Sequence, residues 1–481
     1  MNDSLPPVAL AADSSRQQGA RAVIAGLATL FLFIVAGFVW SFGQYWLLAV
    51  FLIMVVLSHQ DLRRFFFVLA FFIPFLQGGA RPELYIVAPT LEVVLLAFFL
   101  LWFLDAARGR TVSLELSPRD IPWLPFFSVA AGSAVAACAA RLQSTGFSTD
   151  KFDLLAILFH DPMIGPFYPA RALFSFLEVF LLFQFVRSNL DLKGIETLMR
   201  TLLGSACLVN LVGLVGYFTD DLTGYFHGVN RATSLFSGPN QFATCLLMSL
   251  PLSAALLVAA RERLSRWLAV LCLMTGLPAL YLTRSQGAWL AVAAVPLLLL
   301  LFLPEAKSAS IRRWKWLAVP VLGLVALATG GYVVATRTPE QINALTDGRY
   351  FLFLAGFEMV KASPILGVGL GNFYQLLGGF YPDDIVGRAQ HEHAHNMYLQ
   401  IVAELGLLGL VLLLWPLGTL LRRALSGALL QGPTPIGLLA AVLGTLIHSL
   451  TDYTLLIIPV ALLLAIELGM LAVLMNHSHR N

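Results

Sequence analysis

Polar and apolar positions alternate along this chain on the scale of whole segments: long apolar runs are cut by short charged or Gly/Pro-bearing stretches. Runs of bilayer length fall near 22–41, 44–58, 64–78, 85–104, 121–140, 168–187 and 197–218. They resume near 240–260, 265–283, 287–303, 315–335, 397–420, 434–451 and 455–475. A membrane-crossing helix needs about 20 apolar residues. The pattern therefore predicts fourteen spans, or twelve if the short second and third runs are tilted, re-entrant or fused. The fold class expected is an all-α integral membrane protein, a polytopic helical bundle of 12–14 transmembrane helices.

Composition sharpens this by exclusion. Of the 481 residues 58% are hydrophobic and 12% charged, with a mean hydropathy of +0.81; soluble domains carry about 25% charged residues. Soluble globule, disordered chain, coiled coil, nucleic-acid-binding domain and disulfide scaffold are all excluded. The net charge of +3 names no partner. Cys138, Cys207, Cys245 and Cys272 sit inside apolar runs without CxxC spacing, so they read as packing residues.

The placement of charge does carry information. With the N-terminus in the cytoplasm, 20 of the 30 Lys and Arg fall in the short inner segments, as the positive-inside rule requires. The outer side keeps ten: Arg81, Arg141, Lys151, Arg171, Arg231, Arg284, Arg337, Arg349, Lys361 and Arg388. Both termini are then cytoplasmic. The organisation expected is an N-terminal tail at 1–20, membrane helices over 21–335 with an interfacial outer loop at 141–167, and a large periplasmic loop at 336–396. C-terminal membrane helices at 397–475 and a short tail at 476–481 complete it. The first apolar run is too long for a signal-peptide core and no small-residue cleavage site follows, so it reads as a retained span.

Within the large loop, Tyr350 to Lys361 reads as an amphipathic helix. Gly367-Val368-Gly369-Leu370-Gly371-Asn372 follows; without a preceding strand, and on the outer side, it is not a dinucleotide loop. No repeat of 20–50 residues is visible.

Outer basic residues are not topology signals, so each needs another reason. Arg231 lies just before a span, and Arg284 in a turn of a few residues between two helices. A guanidinium held at the membrane surface suits an anionic group such as a phosphate; the competing reading is an arginine snorkelling from a helix end. His391-Glu392-His393-Ala394-His395-Asn396 stands immediately before the span at 397. Such a cluster could ligate zinc, form a purely structural turn, or present a neutral imidazole at a helix start as a general base. Glu92, Glu178, Glu404 and Glu467 fall inside spans, where carboxylates face a polar interior. Glu404, two turns below His395, could support the site, and Asp452 could line an outer cavity.

Several stretches carry a family resemblance: Arg231 to Phe242 (RATSLFSGPNQF), Thr283 to Leu290 (TRSQGAWL), Gly348 to Phe373, His395 to Leu410 (HNMYLQIVAELGLLGL) and Asp452 to Pro459. Together they span roughly 230–460 and resemble the O-antigen ligase and polymerase superfamily of bacterial polytopic glycosyltransferases. The resemblance implies transfer of a glycan from a polyprenyl (undecaprenyl) diphosphate carrier to an acceptor hydroxyl at the periplasmic face of the inner membrane. The partners implied are that lipid-linked donor, a lipid A-core or glycan acceptor, and membrane lipids, with no nucleic acid, cofactor or metal. His395 would activate the acceptor, and Arg231 and Arg284 would bind the diphosphate. Arg349, Arg388, His393, Asn396, Glu404 and Asp452 would support them. Ligation to lipid A-core is favoured over polymerisation with the same donor. From a different class, a polysaccharide flippase would have a similar span count but would place its charges at the midplane.

Overall fold

The computed structural model describes residues 61–76, 89–109, 112–113, 121–145, 165–219, 230–236, 238–302, 324, 328, 332–333, 335–380, 393–453 and 456–478. The expected spans at 22–41 and 44–58, most of those at 315–335 and of the interfacial loop, and Arg388, His391 and Glu392 lie outside the described residues. Among the described residues there are fourteen α-helices and no strand. They are α1 (Leu62–Phe72), α2 (Pro89–Ala107), α3 (Trp123–Thr145), α4 (Tyr168–Asn189), α5 (Leu192–Thr219), α6 (Pro239–Ala259) and α7 (Arg263–Thr283). The series continues with α8 (Gln286–Phe302), α9 (Pro339–Leu345), α10 (Arg349–Ala362), α11 (Phe373–Phe380), α12 (Met397–Gln431), α13 (Pro433–His448) and α14 (Ile458–Ser478).

Seven of them, α3 to α7, α12 and α14, are long and apolar enough to cross a membrane; α8 and α13 are shorter apolar helices. The protein is an all-α, multi-pass membrane protein. Its outer surface fits that reading. Along α7, Leu264, Trp267, Leu271, Met274, Leu277 and Tyr281 recur at three- and four-residue spacing and are all exposed. In water this stripe would be an aggregation surface; facing lipid it needs no cover. Trp267 and Tyr281 stand about 21 Å apart along the axis at 1.5 Å per residue, the spacing of an aromatic belt at two interfaces.

Helix boundaries follow from local chemistry. Asp61 caps α1 by accepting the amides of Arg63 and Arg64. Thr338 and Gln341 form a reciprocal capping box at α9, with Pro339 in its first turn, where the missing amide hydrogen has no cost. Asn396 caps α12 by accepting the amide of Leu399 at 3.0 Å. In the bundle α6 packs on α13 and α7, α7 on α5, α8 on α13, and α14 on α4. Within this core Arg171 of α4 is paired with Glu92 of α2 and, at 3.5 Å, with Glu178 about two helical turns further along α4. Arg171, expected from the sequence on the outer side, is therefore paired with two carboxylates inside the bundle. Arg141 is likewise internal: α3 runs on to Thr145, and the guanidinium donates to the carbonyls of Gly165 and Gly371 and to Asn372.

The large loop is attached to α12 through a break in that helix. Gly406 has φ +69°, and the ladder opens there. Residues 364–369 enter the gap: Val368 and Gly369 donate to the carbonyls of Ala403 and Glu404, and Leu407 and Leu408 donate to those of Pro364 and Ile365. A Cβ on Gly406 would run into the Ile365 carbonyl, and one on Gly367 (φ +73°) into the Glu404 backbone. The glycine-rich run thus exists to bring two backbones together. The helix expected at Tyr350 to Lys361 is α10, which lays Phe351, Leu352, Ala355 and Met359 against α12; Leu354 and Phe357 are exposed on its other side, so it lacks the amphipathic pattern expected.

Candidate active site

The chain reverses between α6 and α7 at residues 260–262 and again between α7 and α8 at residues 284–285. The starts of α6, α8, α12 and α14 and the ends of α7 and α13 consequently share one end of the bundle. Arg261, Arg263 and Arg266 lie at the opposite end. Of the residues singled out from the sequence, Arg231, Arg284, Arg349, His393, His395, Asn396 and Asp452 lie at the first of these ends.

His395 immediately precedes the cap of α12 and adopts a left-handed conformation (φ +48°), a region His tolerates better than most side chains. Its Nδ1 lies 3.4 Å from Oδ1 of Asp452, in the turn between α13 and α14. The α12 start is fastened to that turn: Asn396 donates to Leu450 at 2.9 Å, and the Met397 amide donates to Ser449 at 3.0 Å. The Tyr453 ring lies 5.0 Å from that of His395 and 4.3 Å from that of His393.

The other oxygen of Asp452 faces the arginines. Asn240, in the first turn of α6, donates to Oδ2, and Arg349 approaches the same oxygen at 3.9 Å while donating to the Thr451 carbonyl at 3.0 Å. Asn240 also accepts from Arg231 at 3.1 Å, and Arg231 Nε donates to the Thr283 carbonyl at 2.7 Å. The Ala232 amide donates to Leu282. Arg231 is in this way tied to the residue before Arg284. Arg284 ends α7 in a left-handed conformation (φ +50°) with an exposed side chain.

The electrostatics agree with the geometry. Burial raises the pKa of Asp452, but its hydrogen bond with His395 and the charges of His395, His448 and Arg349 outweigh this and hold the carboxyl below the usual aspartate range. Burial lowers the Arg231 pKa, and Arg349 and Arg284 lower it further, against Asp347 and Asp452. Arg231 thus feels the charges of the other two arginines.

Other candidates have different places. Glu404 accepts the amides of Gly371 and Phe373 at 2.9 and 3.2 Å and the Gln400 side chain at 2.8 Å; it braces the glycine-rich run rather than touching His395. Two participants were not singled out from the sequence. Asn240 bridges Arg231 to Asp452. His448 is buried between Thr244 of α6 (3.0 Å) and Ser285 (3.2 Å), beside Arg284. Gly287 has no room for a Cβ, because Thr451 and His448 occupy that space. A polar residue directly after Gly238-Pro239 was the available sign for Asn240; nothing local marked His448.

Part of the chain matches known proteins. Residues 269–414 match the O-antigen ligase (Wzy_C) family. That stretch contains Arg284, Arg349 and His395, while Arg231 and Asp452 lie on either side of it. The exopolysaccharide production protein ExoQ of Rhizobium meliloti (strain 1021) is 28% identical over 258 residues, which cover 48% of this chain and 56% of that protein. The chain thus spans about half the length of the curated relative it matches. The chain is an all-α membrane protein whose residues 269–414 are similar to the O-antigen ligase family and part of which is similar to an exopolysaccharide production protein.

Proposed function

We propose that the protein transfers a glycan from a polyprenyl diphosphate carrier to an acceptor hydroxyl at the periplasmic face of the bacterial inner membrane. Both chain ends lie in the cytoplasm in this reading. The observation that carries it is the double engagement of Asp452: one oxygen on His395, the other on the Asn240–arginine group. A base and an anion site are thereby held against one carboxylate.

The roles follow from what the reaction needs. The acceptor oxygen forms a bond to the anomeric carbon as the bond from that carbon to the diphosphate oxygen breaks. The acceptor proton passes to Nε2 of His395, while the Asp452 carboxylate, 3.4 Å from Nδ1, favours the tautomer protonated at Nδ1 and steadies the imidazolium formed. The bonding pair leaves on the lipid diphosphate, where Arg231, Arg284 and Arg349 meet the developing charge. Arg388 would add a further cation for the diphosphate or an acidic acceptor.

Lipid A-core as acceptor gives ligation, which the family match supports. A carrier-linked repeat as acceptor gives polymerisation, and the likeness to an exopolysaccharide production protein favours that second reading. Purified protein, given carrier-linked glycan with each acceptor separately, distinguishes them by which product forms. His395→Ala should abolish transfer in a protein that remains folded and inserted. Full activity in that variant would overturn the proposal, and loss of wild-type activity on chelation would move the chemistry to a metal.

A further inference from the structure

A cavity of about 110 Å³ lies beside the His395–Asp452 pair. Its walls include His393 and Tyr453, Gln241 next to Asn240, Gln400 of α12, and apolar side chains of α4 and α14 such as Phe176 and Ile458. None of the three arginines lines it. Tyr453 is shared: its ring touches His395 on the site side and His393 in the cavity wall. A single water needs about 10–15 Å³ of such space, so the cavity has room for several waters or one sugar ring, and not for an oligosaccharide.

One group here has no role in the machinery described above. Nδ1 of His393 is buried and has no hydrogen-bond partner among the described residues. A buried polar atom left unpaired costs about 1–3 kcal/mol, and native structures keep few of them without a partner from outside the chain. Burial, reinforced by His395 and opposed by Asp452, pushes the His393 pKa down to about 3. The ring is therefore neutral at physiological pH, able to pair with a hydroxyl and unable to serve as a second cation. A hydroxyl-bearing ligand satisfies that nitrogen; an isoprenoid chain does not. Amide side chains and a tyrosine ring in the same walls also suit a sugar.

We propose that this cavity is the acceptor subsite, taking the terminal sugar of the acceptor glycan, with His393 pairing to a hydroxyl beside the reacting one. The inference rests on the glycosyl-transfer reading. In that reading the arginines hold the donor diphosphate and His395 takes a proton from the acceptor. The acceptor must then approach on the face of His395 away from the arginines, and the cavity shares Tyr453 with His395 there. His393 is on this view a positioning residue.

The test uses the full-length protein in detergent or lipid, with carrier-linked glycan as donor and lipid A-core or a carrier-linked repeat as acceptor, whichever is turned over. His393→Leu should raise KM for the acceptor about tenfold or more and leave KM for the donor within about twofold; His393→Gln, which can still pair with a hydroxyl, should recover much of the loss. Ala461→Leu, which fills the cavity from α14, should raise acceptor KM in the same way should His393→Leu fail to fold. A rise in donor KM instead would make the cavity a site for the carrier's lipid chain. Unchanged constants in all three variants would mean that water alone occupies it; either result overturns the proposal. His395→Ala keeps the two levels apart. If that variant is active, the reading of the site fails; if it is inactive while His393→Leu leaves acceptor KM unaltered, the subsite alone fails.

Discussion

Asp452 stands 3.4 Å from His395 through Oδ1 and offers Oδ2 to Asn240 and Arg349. These two residues are 57 positions apart, on opposite sides of a helical hairpin, and the α12 cap is fastened to the α13–α14 turn so that they meet. Asp452→Asn should therefore lower kcat by about 10²–10⁴-fold, since an amide no longer dictates which histidine nitrogen carries the proton. Donor KM should change little. The discriminating measurement is steady-state transfer with both substrates varied, and near-normal kcat would remove Asp452 from the mechanism.

The arginines should separate by their contacts. Arg231 is tied into the protein through Thr283 and Asn240, whereas Arg284 is an exposed side chain at the end of α7. Arg284→Ala should weaken donor binding about tenfold or more with little change in melting temperature, while Arg231→Ala should lower both. Arg231→Lys should not rescue, because an ammonium cannot reproduce the forked contacts. Titration with lipid diphosphate, paired with thermal unfolding, reads out both properties.

At the break in α12, Gly406→Ala should destabilise the protein by about 2 kcal/mol or more, through a left-handed φ and overlap with the Ile365 carbonyl. Glu404→Ala should also destabilise, by leaving the Gly371 and Phe373 amides without their acceptor. Thermal unfolding in detergent tests both. Unaltered melting temperatures would show that loop docking is not tight.

Acid should destabilise the protein through His393. Its pKa is about 3 in the folded chain against an ordinary 6.5. Between those values the unfolded chain binds a proton that the folded chain does not. Stability therefore falls as pH drops below 6.5, by at most about 1.4 kcal/mol per pH unit. Asp452 acts lower: its depressed pKa contributes stability above about pH 3.8 that is lost as pH falls further. His393→Gln should flatten the decline between pH 6.5 and 5; an identical slope in both proteins would refute this.

Much of the architecture was legible in the chain, and the reasons are local. Bilayer thickness sets the length of an apolar run, the cost of burying charge sets where cations collect, and Asn396 marks a helix start by its own hydrogen-bonding capacity. Those constraints act within about twenty residues. They were enough to name a helical membrane bundle, to predict α10, and to place Arg231, Arg284 and His395 among the residues needing a reason.

Only tertiary structure decided which of those residues meet. The Asp452–Asn240 contact joins positions 212 apart, and no periodicity encodes such a pairing. The glycine-rich run had no meaning until α12 opened at Gly406 to receive it. Arg171 looked like a surface cation until Glu92 and Glu178 enclosed it. Sequence alone determined what each segment could tolerate, because solvation and helix geometry are properties of a segment; packing decided what each side chain faces, because a contact belongs to two segments at once.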